Sequence, residues 1–204
     1  MTAPAAAETP VSASPAGQKL TSQEVEQARL FLGQAQDAVT GATKGLTEAQ
    51  WTFKPAPGKW SIAENLAHIV IVQERVLGPI LDQIANAPPP ASNIDCKVAD
   101  AIVINNFPNR LMKFNAPEPV HPVNPIAPQE ALIRFAENSV LLSHALEART
   151  GLRQHAIEAP PMKAISQGAY QTMDGYQWIL AAAAHTERHV KQMLEVMADR
   201  RYPA

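Results

Sequence analysis

The sequence predicts an all-α fold, a four-helix bundle with a long proline-rich crossover between its second and third helices. Three observations carry this expectation. Apolar residues recur at three- and four-residue spacing in four long stretches, as the buried stripe of a bundle helix requires. No alternating apolar and polar run of useful length marks a strand, and no internal repeat is present. Pro108, Pro117, Pro119, Pro122, Pro125 and Pro128 punctuate the connection between the second and third stretches, and a connection of that length is a crossover or a functional lid.

The first helix runs from Ser22 to Thr43. Thr21 or Ser22 can cap it, Glu24 and Glu26 sit in its first turn, and Val25, Ala28, Leu32, Ala35 and Val39 form its stripe. The stretch Leu46–Trp60 reads as irregular, broken by Pro55, Pro57 and Gly58 but anchored by Trp51, Phe53 and Trp60. Ser61 and Glu64 form a capping box that opens the second helix, with Ile62, Leu66, Ile69, Val76 and Ile80 on its main stripe and His68 about 100° to the side. Pro79 should kink or end that helix, with Gly78 easing the bend, and Pro88, Pro89 and Pro90 stop whatever continues. Asn93 to Phe107 holds a short additional helix. The third long helix runs from Gln129 to about Thr150, Gly151–Gly175 reads as a loop, and the last helix spans Gly175 to Val196.

Composition narrows the function. A chain of 204 residues supports one domain with a full core; residues 20–204 are expected to form it. Residues 1–19 are Ala/Pro-rich and read as a flexible tail. They resemble the spacer that follows a cleaved export signal, so the default cytoplasmic expectation stands beside an exported one. The net charge of -2, with no basic stripe, disfavours nucleic acid as a partner. No apolar run approaches the roughly 20 residues of a membrane span. The single cysteine, Cys96, rules out an intramolecular disulfide and reads as a small buried apolar residue.

The last helix carries the chemistry. His185 and His189 are four residues apart, so both imidazoles project from one face together with Trp178, Ala182, Met193 and Val196. Thr186, Glu187, Arg188 and Lys191 are expected on the outer face as solvated positions. Two histidines on an apolar seam are either core histidines satisfied by hydrogen bonds or a two-ligand metal arm that needs a third ligand. Thr186 stands where His-Glu-x-x-His has its glutamate, which argues against a zincin protease.

Trp51, Pro55, Gly58, Lys59, Trp60, Ser61 and Ile62 together resemble the entry to the second helix in the DinB/YfiT-like superfamily. Six residues after Ile62 that family places a histidine, here His68, and Ala-His-Thr-Glu-Arg-His over residues 184–189 resembles its last helix. The resemblance covers about residues 20–200. It implies a bundle that binds one divalent metal through His68, His185 and His189 in a cleft, and a homodimer. Zinc or nickel leads among the metals, with iron or manganese behind them. Characterised members include thiol-dependent transferases and isomerases using bacillithiol, mycothiol or glutathione, which makes a low-molecular-weight thiol or another small molecule the expected substrate, for a thiol transferase or a hydrolase. The competing expectation is a non-catalytic bundle, stress-associated or dimerising, whose metal is structural or absent.

Each metal-bound imidazole needs a partner for its other nitrogen. Glu64, one turn before His68, is a candidate, against its simpler role in the capping box. His121, His144 and His155 read as surface residues, with His121 set apart because its segment can fold over the cleft. Trp60, Trp178, Met173 and Tyr176 read as core.

Overall fold

The computed structural model describes residues 19–123 and 126–204. The expected tail, apart from Lys19, and Pro125 of the crossover lie outside the described residues. Helix α1 spans Ser22–Thr43, as the periodicity predicts. Thr21 caps it: its Oγ1 accepts from the Glu24 amide at 3.2 Å, and the Glu24 carboxylate accepts from the Thr21 amide at 2.7 Å. The stretch expected to be irregular contains one short helix, α2 (Glu48–Thr52), opened by a second capping box of Thr47 and Gln50 and burying Trp51. At five residues it is too short to show a period.

Ser61 opens α3 (Ile62–Val72) through its capping box with Glu64. The helix does not stop at Pro79. One π-turn, Gln73–Leu77, is inserted, and α4 (Gly78–Gln83) continues the rod. The Gly78 amide donates to the Gln73 carbonyl, the wider i→i−5 bond. Pro79 then falls in the first turn of α4, where its missing N–H costs least.

Helix α5 (Cys96–Asn106) is capped by Asp95. Cys96 is buried, and burial pushes its thiol up to about 11, an unreactive thiol as its composition suggested. Helix α6 spans Pro128–Ala148. The segment expected to be a loop before the last helix folds instead as a small unit: β1 (Ala156–Glu158), α7 (Pro160–Ile165) and β2 (Thr172–Asp174). The strands are antiparallel, with Ile157 opposite Met173. Three-residue strands leave no alternation to detect, and Pro160 and Pro161, which in sequence argue for a loop, occupy the first turn of α7 where proline is tolerated.

Helix α8 (Gly175–Met197) is the axis of the molecule, packed against α1, α3 and α5. With α6 bridging α1 and α3, the four long rods close into a bundle. The core has two parts. One gathers the start of α1, α4, α5, the end of α6 and the first half of α8 as far as Ala184, and the other gathers the end of α1, α3, the start of α6 and the second half of α8 from Val190. His185 and His189 lie between them. Gly175 fits because its amide donates to the Leu152 carbonyl at 2.7 Å, and a Cβ there would come within 3.3 Å of Leu152 Cα. No helix among the described residues is long and apolar enough to cross a membrane.

Because α8 is enclosed, its outer face is not the solvated one expected. Thr186 is buried and its hydroxyl donates to the Ala182 carbonyl. Arg188 is only 4% exposed. Its guanidinium lies over the Phe114 ring at 4.7 Å and donates to the carbonyls of Phe107, Asn109 and Met112. Glu187 and Lys191 do pair along the surface at 2.7 Å.

A second buried charge, Arg153, ties the ends of the elements together. Its side chain donates to Asp100 and Asp174 at 2.9 Å each and to Glu24 at 2.7 Å, and stacks on the Tyr176 ring at 4.2 Å. Tyr176 in turn donates to the Glu24 carbonyl at 2.8 Å. One side chain thus joins α1, α5 and the start of α8.

Candidate metal centre

The capping box at Ser61 sets where α3 begins, and seven residues later His68 faces α8. The Asp174–Gln177 capping box does the same for α8 and its two histidines. His68, His185 and His189 converge, with one ligand nitrogen from each within 4.8 Å of the others. Nε2 of His185 lies 3.2 Å from Nε2 of His68. Two ligands at about 2.0–2.1 Å from a tetrahedral ion are about 3.4 Å apart, so the separation fits a shared ion. His68 and His189 are 4% and 6% exposed, and His185 is half-buried.

The hydrogen bonds decide which nitrogen faces inward. Nδ1 of His68 lies 2.7 Å from the Val120 carbonyl, which only accepts, so Nδ1 carries the proton and Nε2 the lone pair. Asn65 directs His189 likewise. Its Nδ2 donates to the Ser61 carbonyl at 2.8 Å, which turns Oδ1 toward His189 Nδ1 at 3.0 Å. Nδ1 of His185 is inaccessible and has no partner among the described residues. Two of the three imidazoles are therefore held by their outer nitrogens, each leaving its Nε2 lone pair uncommitted to those partners.

Glu64 is not the partner of His68. Its carboxylate accepts from the Ser61 amide at 2.8 Å and from Lys54 Nζ at 2.6 Å, while Nδ1 of His68 is taken by the Val120 carbonyl. The residue that matters is its neighbour Asn65, a fully buried amide three positions before His68. An amide amid the apolar residues of α3 needs a partner, and that was its only signal in the sequence.

Trp60, expected in the core, is half-buried and covers the triad, its ring centroid 4.8 Å from that of His68 and 5.9 Å from that of His189. The crossover does fold over this region. His121 is exposed, with its edge against Trp60 at 5.4 Å between centroids. His144 is exposed on α6, and His155 is half-buried with Nδ1 2.6 Å from the Ala87 carbonyl; neither joins the triad. Trp178, Met173 and Tyr176 are core residues. Among the described residues no carboxylate joins the cluster.

Burial holds His185 and His189 well below the ordinary histidine range, and neighbouring imidazoles and Arg188 add to it. Burial also lowers His68, against the opposing Val120 hydrogen bond. All three are neutral at neutral pH, the form that binds a metal. The sign for stability follows. The unfolded chain takes up protons as pH falls below 6.5 while the folded state resists them. The ion-free protein is therefore expected to lose up to about 1.4 kcal/mol per histidine per pH unit below that point. Urea denaturation across this range tests it, with a His68→Ala/His185→Ala variant expected to show a shallower slope. Asp174 acts in the opposite direction, since burial pushes it up to about 6 against the pull of Arg153, and the comparison of slopes removes it. Equal slopes would refute the burial argument.

A bundle whose facing helices present three convergent histidines defines a histidine-triad four-helix protein. The chain belongs to the DinB superfamily, whose sequence profile matches residues 32–193. Among solved structures it is similar to YfiT from Bacillus subtilis, described as a probable metal-dependent hydrolase with an unusual four-helix bundle topology. The two share 12% identity at a TM-score of 0.57, over 92% of this chain and 94% of that one. No curated protein matches this chain. The expected DinB-like four-helix bundle is borne out.

Proposed function

We propose that this protein is a metal-dependent enzyme that holds one divalent ion through His68, His185 and His189 and acts on a small molecule by hydrolysis or thiol transfer. The observation that carries the reading is the convergence of three imidazoles, two of them held through Nδ1 by Val120 and Asn65 so that Nε2 keeps its lone pair. A core histidine also needs an acceptor for its N–H; what sets this cluster apart is that a third imidazole, His185, converges on the nitrogens left over. Three imidazoles leave positions open on a divalent ion, the arrangement of catalytic rather than structural sites. Zinc or nickel suits this donor set first, iron or manganese next. When bound, such an ion supplies Lewis acidity and brings the pKa of water to about 7, or that of a thiol below its ordinary value.

The chain's own residues do the rest. Val120 and Asn65 orient two ligands, and Trp60 excludes water from one side. Hydrolysis draws support from the description of YfiT. A homodimer and a low-molecular-weight thiol substrate complete the reading.

The test is elemental analysis of protein purified without a metal-affinity tag, beside the His68→Ala/His185→Ala variant. About one divalent ion per chain is expected, lost in the variant while helicity is retained. No bound ion, together with no rise in melting temperature when zinc or nickel is added, would overturn the proposal.

A further inference from the structure

The crossover reaches the triad through backbone atoms. Arg188 takes the carbonyls of Asn109 and Met112, Arg75 of the π-turn donates to the Pro119 carbonyl at 2.9 Å, and His68 Nδ1 meets the Val120 carbonyl at 2.7 Å. Between these tethers a single 3-10 turn, Glu118–Val120, is closed by the Val120 and His121 amides, which donate to Pro117 and Glu118 at 3.0 and 3.1 Å. Val120 is buried against the bundle, and the turn packs on α3. His189 takes its outer partner from within the bundle, from Asn65 on α3. His68 takes its own from outside, from a segment with little regular structure.

We infer that the turn Glu118–Val120 is a strap linked to metal occupancy, and that Arg75 is a positioning residue that acts on His68 through it. The inference rests on the reading of the triad as a metal site. With an ion on Nε2, His68 must keep its proton on Nδ1, and the hydrogen bond to Val120 is enforced and strengthened. Without an ion, His68 Nε2 accepts from His185 instead, 3.2 Å away, and the Nδ1–H bond to Val120 lacks the polarisation an ion gives it. The strap is then held by the weaker form of the same anchor. Binding and docking therefore favour each other, and linkage requires the effect to run both ways. Docking also sets His121 against Trp60, so the strap closes the side of the site that Trp60 covers.

The experiment is hydrogen–deuterium exchange of the full chain with and without zinc, with zinc stoichiometry measured on the same samples. Wild type, Arg75→Ala and Arg75→Lys are compared. Arg75 is exposed, so neither substitution threatens folding. Zinc is expected to slow exchange of the Val120, His121 and Val123 amides. Arg75→Ala is expected to speed that exchange and weaken zinc binding about five- to tenfold, by competition with a chromophoric chelator. Arg75→Lys, which keeps a donor for Pro119, restores both, which a merely structural role does not predict. Zinc bound at one per chain with no change at these amides overturns the linkage and leaves the metal reading intact. Unchanged zinc affinity in Arg75→Ala overturns the role of Arg75. Absence of zinc binding in the wild type overturns both readings.

Discussion

Arg153→Met is expected to lower the free energy of unfolding by about 3–5 kcal/mol, the loss typical when one partner of a buried ion pair is removed. The substitution preserves most of the side-chain volume, so a cavity is not the main cause. What remains is Asp100, Asp174 and Glu24 gathered around a vacated charge, two of them buried. Asp174 would keep its cap on α8 but lose its counter-ion, and Tyr176 would lose the cation on its ring. Urea denaturation at neutral pH measures the loss. A change under about 1 kcal/mol would mean that solvent reaches the cluster and screens it as it does a surface pair.

The second large effect separates ligand orientation from folding. Asn65→Leu is expected to weaken zinc binding about 10–100-fold, the usual cost of removing a partner that orients a metal-bound histidine. Folding should suffer less. The Ser61 carbonyl that loses the Asn65 side chain still accepts the Asn65 backbone amide at 3.0 Å, and leucine suits the apolar surroundings. Asn65→Asp keeps an acceptor for His189 Nδ1 and is expected to recover most of the affinity. Chelator competition and circular dichroism on the same samples settle it. Full affinity in Asn65→Leu would show that His189 needs no outer partner.

The parts of this molecule that the sequence discloses are those with local patterns. Ser22–Thr43 shows its full extent because capping, period and stripe agree over many turns. His185 and His189 show as a pair because helical geometry alone puts them on one face. His68 is different: nothing in α3 marks it except its place in a family motif. Arg153 meets partners 21, 53 and 129 residues away, and no local pattern encodes such contacts. Arg188 reads as a surface charge because its acceptors are backbone carbonyls, which have no sequence signature. The same holds for Val120 as the partner of His68. Glu64 is the visible candidate for His68 because it lies one turn before it; the fold gives that role to Val120 and uses Asn65, one position on from Glu64, for His189.

The π-turn at Gln73–Leu77 has a consequence for the geometry of the whole bundle. One extra residue in a turn changes the azimuth of everything after it by about 100° relative to an unbroken α-helix. Before the turn, Ile62, Leu66, Ile69 and Val70 pack into one half of the core; from its last residue on, Leu77, Leu81 and Ile84 pack into the other. The wider turn absorbs one residue, so that Leu81 stays on roughly the side of the rod that Ile69 occupies instead of about 120° around it. Deleting a residue from Gln73–Leu77 so that a regular helix forms would leave Leu81 in phase. Keeping the residue and forcing regular α-geometry would swing Leu81 toward solvent. A single turn of wider helix thus keeps both halves of the core on one side of the rod.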